Sequence, residues 1–184
     1  MKPVAKLSFP LENREVLRDL KVGDFITLDG WLLCARDATH RKILSSLKDR
    51  SFSFDFHNQL IYYLGPTPAP PGMVIGSCGP TTASRMDIYL EEFLALGLAA
   101  TMGKGKRASA LRELHRQYQA VYLITFGGVG AYLSQFVQKM EYLAWKDLGP
   151  EALFRIKVKD FPAIVGIDTL GQDFYELSSA LTPA

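Results

Sequence analysis

The apolar pattern changes character partway along the chain. Over residues 1–64 three stretches read as strands: Val4–Phe9, Asp24–Leu33 and Phe52–Leu64. Asp29-Gly30 suits a tight turn, so the middle stretch is predicted to fold as a hairpin. Between the second and third stretches, Arg41, Ile43, Leu44 and Leu47 recur at helical spacing, which predicts a helix from about Ala38. Gly65 to Gly72 then reads GPTPAPPG, with four of the chain's 10 prolines. Proline removes a backbone donor and fixes φ, so this segment is predicted to be a stiff extended connector.

Residues 73–140 alternate short apolar runs with helical periods. MVIG precedes a helix over about Thr82–Leu96. LAATM precedes one over about Arg107–Gln119, and AVYLITF one over about Val129–Gln138. This βαβαβα order favours a parallel sheet with right-handed crossovers. In the tail, ALFRIKV, AIVGID and DFYEL read as three more strands. The predicted class is therefore α/β: a parallel half, with additional strands supplied from both chain ends. Residues 1–184 form one domain, with the 65–72 connector inside it.

Composition narrows the function. Hydrophobic residues make up 48% of the 184 and charged residues 22%, which supports a packed core and argues against disorder. The formal net charge is only +2, so no dedicated nucleic-acid or anionic-membrane surface is expected. No apolar run reaches a membrane-spanning length. The first residues lack the uninterrupted apolar core of a signal peptide, so the expected compartment is the cytoplasm. Cys34 and Cys78 are too few for a disulfide framework, a four-cysteine zinc site or a full iron–sulfur ligand set. His40, His57 and His115 show no close metal-ligand spacing, so no metal site is expected on this chain.

Candidate chemistry lies in three glycine-rich loops, each predicted after a strand: Gly76-Ser77-Cys78-Gly79-Pro80-Thr81-Thr82, Gly103-Lys104-Gly105-Lys106 and Gly127-Gly128-Val129-Gly130. Parallel strands would line these loops along one carboxyl edge, where open α/β sheets bind ligands. Each loop opens a helix, so free backbone N–H groups and close backbone approach favour an anion there. Neither the phosphate-loop spacing nor the third glycine of a dinucleotide motif is present. Thr81 or Thr82 can cap the following helix. Arg85 sits in that helix's first turn, against the helix dipole, which suits a cation kept for a ligand. Arg36 and Asp37 mark a second strand–helix junction, with His40 close behind.

Gly79-Pro80-Thr81-Thr82-Ala83-Ser84-Arg85-Met86-Asp87 resembles the G-P-T-T-[AS]-x-R-M-D signature of the β-subunit, or C-terminal domain, of class I iron–sulfur hydro-lyases. Those enzymes are class I fumarase and L(+)-tartrate dehydratase. Ala35-Arg36-Asp37-Ala38-Thr39-His40, Gly103-Lys104-Gly105, Gly127-Gly128-Val129-Gly130-Ala131 and Gly149-Pro150-Glu151-Ala152 follow the same family order. The resemblance implies a swivelling β/β/α domain and a separate α-subunit. That partner would hold a [4Fe–4S] cluster through three cysteines, in a hetero-oligomer. It implies that Arg36, Arg85 and Lys104 hold substrate carboxylates and that Thr81 takes part in proton transfer. Gly127 and Gly128 would contribute to the substrate site, and Asp37, His40, Thr82 and Asp87 would support it from behind. Lys106 stands where the family usually has asparagine, and Ser84 where glycine is commoner. Hydration of fumarate to L-malate is the first expectation, and dehydration of tartrate to oxaloacetate the second. A non-catalytic anion-binding or regulatory subunit is the alternative from another class.

Overall fold

The computed structural model describes residues 2–180. Among these, seven strands join one sheet: β1 (Ala5–Phe9), β2 (Phe25–Cys34), β3 (Leu60–Tyr62), β4 (Ala100–Gly103), β5 (Val121–Ile124), β6 (Val137–Ala144) and β7 (Leu153–Ile167). The helices are α1 (Asp37–Lys48), α2 (Leu90–Ala95), α3 (Leu111–Tyr118), α4 (Gly130–Leu133) and α5 (Phe174–Ala180), with several 3₁₀ turns between them.

The long antiparallel pair β2–β7 organises the sheet. One edge of β2 takes β1 along its first half and β3 at its end, both parallel. The free edge of β7 takes β6 along its first half and β5 along its second, both antiparallel. Strands β3, β4 and β5 run parallel to one another and bridge from β2 round to β7. The sheet therefore closes on itself. Alternation divides the side chains between two cores. Leu60, Tyr62, Met102, Val121 and Leu123 join Ile26, Leu28 and Phe161 in one. Ile61, Tyr63 and Tyr122 meet Met86, Leu90 and Phe93 of the helical layer in the other. No described helix is long and apolar enough to cross a membrane.

Several expectations are corrected. Asp29-Gly30 is not a hairpin turn: β2 runs through it with a register shift opposite β7, and Gly30 takes φ +88° beside the Phe9 backbone. Glycine there makes a bulge in a continuous strand. Of Phe52–Leu64 only Leu60–Tyr62 is strand; Phe52, Phe54 and Phe56 form an aromatic run in irregular backbone. MVIG is not a strand. Met73 and Val74 lie exposed, and β3 takes the place predicted for them. The helix predicted over Thr82–Leu96 is a 3₁₀ segment, Ala83–Tyr89, followed by α2. That predicted from Arg107 begins only at Leu111, because Arg107 is held elsewhere. The third ends by Phe136, and Val137–Ala144 is strand β6, which the sequence reading missed. ALFRIKV and AIVGID are one strand, with Phe161 and Pro162 inside it. Pro162 sits where β2 pairs through Thr27, and its carbonyl accepts from Thr125 Oγ1. DFYEL begins helix α5.

Candidate functional site

The carboxyl ends of β2, β3, β4 and β5 lie side by side in the sheet. The loop carrying Thr81 reaches this edge by an unexpected route. It leaves β3 through the connector, returns, and threads between the ends of β3 and β4. Thr81 N donates to Tyr63 O at 2.7 Å, Lys104 N donates to Thr81 O at 3.1 Å, and Ala83 N donates to Lys104 O at 2.9 Å. These bonds make Thr82 an isolated parallel bridge partner of Lys104 and fix Thr81 immediately before it. Thr82 precedes the 3₁₀ segment without a side-chain cap bond, so it does not act as the predicted cap.

Glycines make the loops fit. At Gly130 an added Cβ would lie 2.7 Å from the Gly79 backbone N and would collide with Ser77 Oγ. Cys78 N donates to Gly130 O at 3.1 Å. The first and third loops therefore touch backbone to backbone, which only residues without side chains permit. A Cβ at Gly127 would stand 3.3 Å from Lys104 Cδ, so the lysine stem lies along Gly127. Lys104, Gly127 and Thr81 are thus brought together, and Gly128 follows with φ +80°.

The arginines form a second group at the same edge. Arg85 Nε donates to Asp37 Oδ1 at 3.0 Å, and Arg85 Nη2 lies 2.9 Å from Asp37 Oδ2. One hydrogen bond and one close charge contact hold the guanidinium, while Asp37 Oδ2 accepts no hydrogen bond among the described residues. Asp37 opens α1, so its charge also suits the helix N-terminus. Arg36, next in the chain, has a looser ion pair: Nη2 stands 3.5 Å from Glu151 Oε1. Arg36 crosses the Gly65 backbone, where a Cβ would stand 2.9 Å from its Cδ. Sequence reading passed over Glu151. Its place beside Gly149-Pro150 was visible, but a contact across the fold from Arg36 was not.

His40 and Asp87 stand further back. His40 lies buried among Tyr63, Tyr89 and Phe93, with Nδ1 2.8 Å from the Arg36 carbonyl. Burial lowers its pKa to about 4, so the ring is neutral and carries the proton that Nδ1 donates to Arg36 O. Asp87 faces away from the arginine pair. It accepts from Arg107 Nε at 2.7 Å and from Ala108 N at 3.0 Å. Arg107 was not singled out from the sequence, yet its side chain is fully buried between the rings of Tyr63 and Tyr122. Lys106 points elsewhere, with Nζ 4.0 Å from Glu176 Oε1 on α5.

Among the described residues no group of three or more His, Cys, Asp or Glu side chains is placed to hold a metal ion. Both cysteines are buried, and burial pushes the Cys78 thiol up to about 12 and that of Cys34 well above its ordinary value. Protonated thiols of that kind do not suit cluster ligation.

The family described as Fumarase C-terminus matches residues 4–178. The chain is 37% identical over 168 residues to fumarate hydratase 1, mitochondrial, of Leishmania major, covering 88% of this chain and 31% of that protein. It is 33% identical over 169 residues to the aerobic class I fumarate hydratase of Escherichia coli K12, covering 89% of this chain and 31% of that one. A Methanocaldococcus jannaschii protein, named as an L(+)-tartrate dehydratase subunit beta, is 37% identical over 171 residues, 89% of this chain and 88% of its own. The chain thus spans about a third of the fumarate hydratases and most of the separate subunit.

Proposed function

The chain belongs to the Fumarase C-terminus family, and on that premise we propose that it is the substrate-gripping subunit of a hydro-lyase that interconverts fumarate and L-malate. One observation carries the reading. Thr81 and Lys104 are hydrogen-bonded backbone neighbours at the sheet edge that Arg36 and Arg85 also reach. A hydroxyl and three cations at one edge suit a dicarboxylate.

The chemistry explains the cations. Removing a proton next to a carboxylate pushes a further negative charge onto that carboxylate. Lys104, Arg36 and Arg85 would therefore meet more charge in the intermediate than in the substrate. An interaction that strengthens along the reaction lowers the barrier. The arginines supply forked donors that orient a carboxylate, and Lys104 a point charge. Thr81 would move the proton at its Oγ1. A threonine hydroxyl is a weak base alone and requires a cationic setting or a nearby carboxylate. Among the described residues no group is placed to ligate the iron–sulfur cluster that the resemblance implies. In this proposal the cluster and the helping carboxylate belong to a partner α-subunit.

The similarity to a protein named as a tartrate dehydratase subunit favours L(+)-tartrate as a second substrate reading. The deciding experiment is co-expression with a cluster-bearing partner, followed by parallel assays on fumarate, L-malate and L(+)-tartrate. The expected outcome is turnover of fumarate by the complex and by neither chain alone. Turnover by this chain without partner or iron would overturn the subunit role. Turnover of tartrate alone would replace the substrate.

A further inference from the structure

Two carboxylates of the chain already occupy the two arginines, and they do so differently. Asp37 meets Arg85 through two close contacts. Glu151 meets Arg36 through one, at 3.5 Å, beyond good hydrogen-bond distance. Arg36 Nε is buried and has no hydrogen-bond partner among the described residues. A guanidinium has five donors, so Arg36 is far from satisfied.

The Glu151 carboxylate is divided between two tasks. Oε2 accepts from Ala38 N at 2.9 Å and so caps α1, while Oε1 leans toward Arg36. The Glu151 main chain is fastened separately, since its carbonyl accepts from Thr39 Oγ1. Arg36 does not depend on Glu151 for its position. Its stem lies against the Gly65 backbone, and its carbonyl accepts from His40 N at 2.8 Å. Oε1 can therefore leave Arg36 while the cap, the loop and the arginine all stay in place.

We propose that Glu151 is an internal stand-in for a substrate carboxylate, holding Arg36 until the dicarboxylate displaces it, and thereby sets substrate affinity. The proposal rests on the reading of Arg36 as a substrate-binding cation. Exchange replaces one long ion pair by a carboxylate free to engage the fork from the front. It also leaves Glu151 neutralising the helix terminus. The net change is favourable but small, because Glu151 competes for the same charge.

The test is steady-state kinetics of the reconstituted complex with fumarate. Glu151→Gln keeps an oxygen for Ala38 N and removes the charge. Its KM for fumarate should fall about 2- to 5-fold, the scale of a partly exposed ion pair, with a smaller change in kcat. Glu151→Met, which keeps the bulk without the charge, should move KM in the same direction. A higher KM in both variants overturns the proposal and makes Glu151 a positioning residue for Arg36. An unaltered KM leaves it only a helix cap and also overturns the proposal. Arg36→Ala separates this from the parent reading. If Arg36→Ala raises KM but Glu151→Gln does not lower it, only the stand-in role falls. If Arg36→Ala leaves KM unmoved, Arg36 is not at the substrate and both fall.

Discussion

Asp87 accepts a 2.7 Å hydrogen bond from the fully buried Arg107, and this pair ties the segment carrying Arg85 to the loop carrying Lys104. Arg107 also donates to Thr101 Oγ1 of β4 at 3.0 Å. Desolvation makes such a pair a poor source of net stability, but removing one member leaves a charge buried alone. Asp87→Ala should therefore cost about 3 to 5 kcal/mol of stability. Urea unfolding of the purified chain measures it; a loss below about 1 kcal/mol would mean that water reaches Arg107 once Asp87 is gone.

Arg85→Ala should separate function from stability in the opposite way. The side chain is half exposed, so its pair with Asp37 should contribute at most about 1 kcal/mol to folding. Loss of a charged partner to the substrate should cost roughly 2 to 5 kcal/mol in kcat/KM. Activity of the complex and the unfolding midpoint, measured on the same preparations, distinguish the two. A collapsed midpoint with normal turnover of the folded fraction would make Arg85 structural.

Thr81→Ala tests the proton-transfer role. With that role, kcat should fall roughly 10² to 10⁴-fold while KM moves much less. Thr81→Ser should keep part of the rate. The main-chain bonds of Thr81 to Tyr63 and Lys104 survive either change, so the midpoint should hold. A normal kcat with a lowered midpoint would return Thr81 to a purely architectural place.

Gly130→Ala should damage the site without touching any charged group. The added methyl meets the Gly79 backbone at 2.7 Å, so the loop leading to Thr81 must move. Overpacking of this kind costs typically about 1 to 3 kcal/mol. The expected result is a lower kcat with a modestly lower midpoint. Full activity would show that the Thr81 loop tolerates displacement.

Two buried histidines give the chain an acid limit. Burial lowers His40 to about 4 and His115 to about 3, so both stay neutral when folded. The unfolded chain takes up these protons near pH 6.5, while the folded chain refuses them. Stability is thus complete above that pH and is lost as pH falls toward 4. The unfolding midpoint should decline steadily from pH 7 to pH 4.5, and imidazole NMR signals of both rings should stay in place above pH 5.5. A protonation shift of either ring in that range would contradict the burial.

The sequence was most legible where chemistry and local geometry coincide. The helix opening at Asp37, strands β1, β4 and β5, and the second and third glycine loops lie where periodicity and glycine placed them, whereas the first loop follows no strand of its own. The failures share a cause. MVIG has strand propensity, but Leu60–Tyr62 already fills that slot in the sheet, and a segment without an open edge to pair with stays irregular. Val137 and Gln138 read as the end of a helix and KMEYLA as no element, but the free half-edge of β7 recruits Val137–Ala144 as β6. The site showed the same limit. Arg85 was visible as a cation set against a helix dipole and Arg36 as one at a strand–helix junction, whereas Glu151 and Arg107 act through contacts between segments distant in the chain.

The shared edges of β2 and β7 bear on how the chain is made. Cys34 pairs with Phe154, and Phe25 with Ile164, so the central pair joins segments far apart along the sequence. Until β7 emerges, β2 presents one unpaired edge of backbone donors and acceptors, the kind that seeks another chain. Closure of the sheet is consequently a late and non-local event, which slows folding relative to a helical protein of the same length. A fragment ending before Leu153 lacks the strand that unites both halves, and the nascent chain depends on reaching that residue before its open edge finds a neighbour.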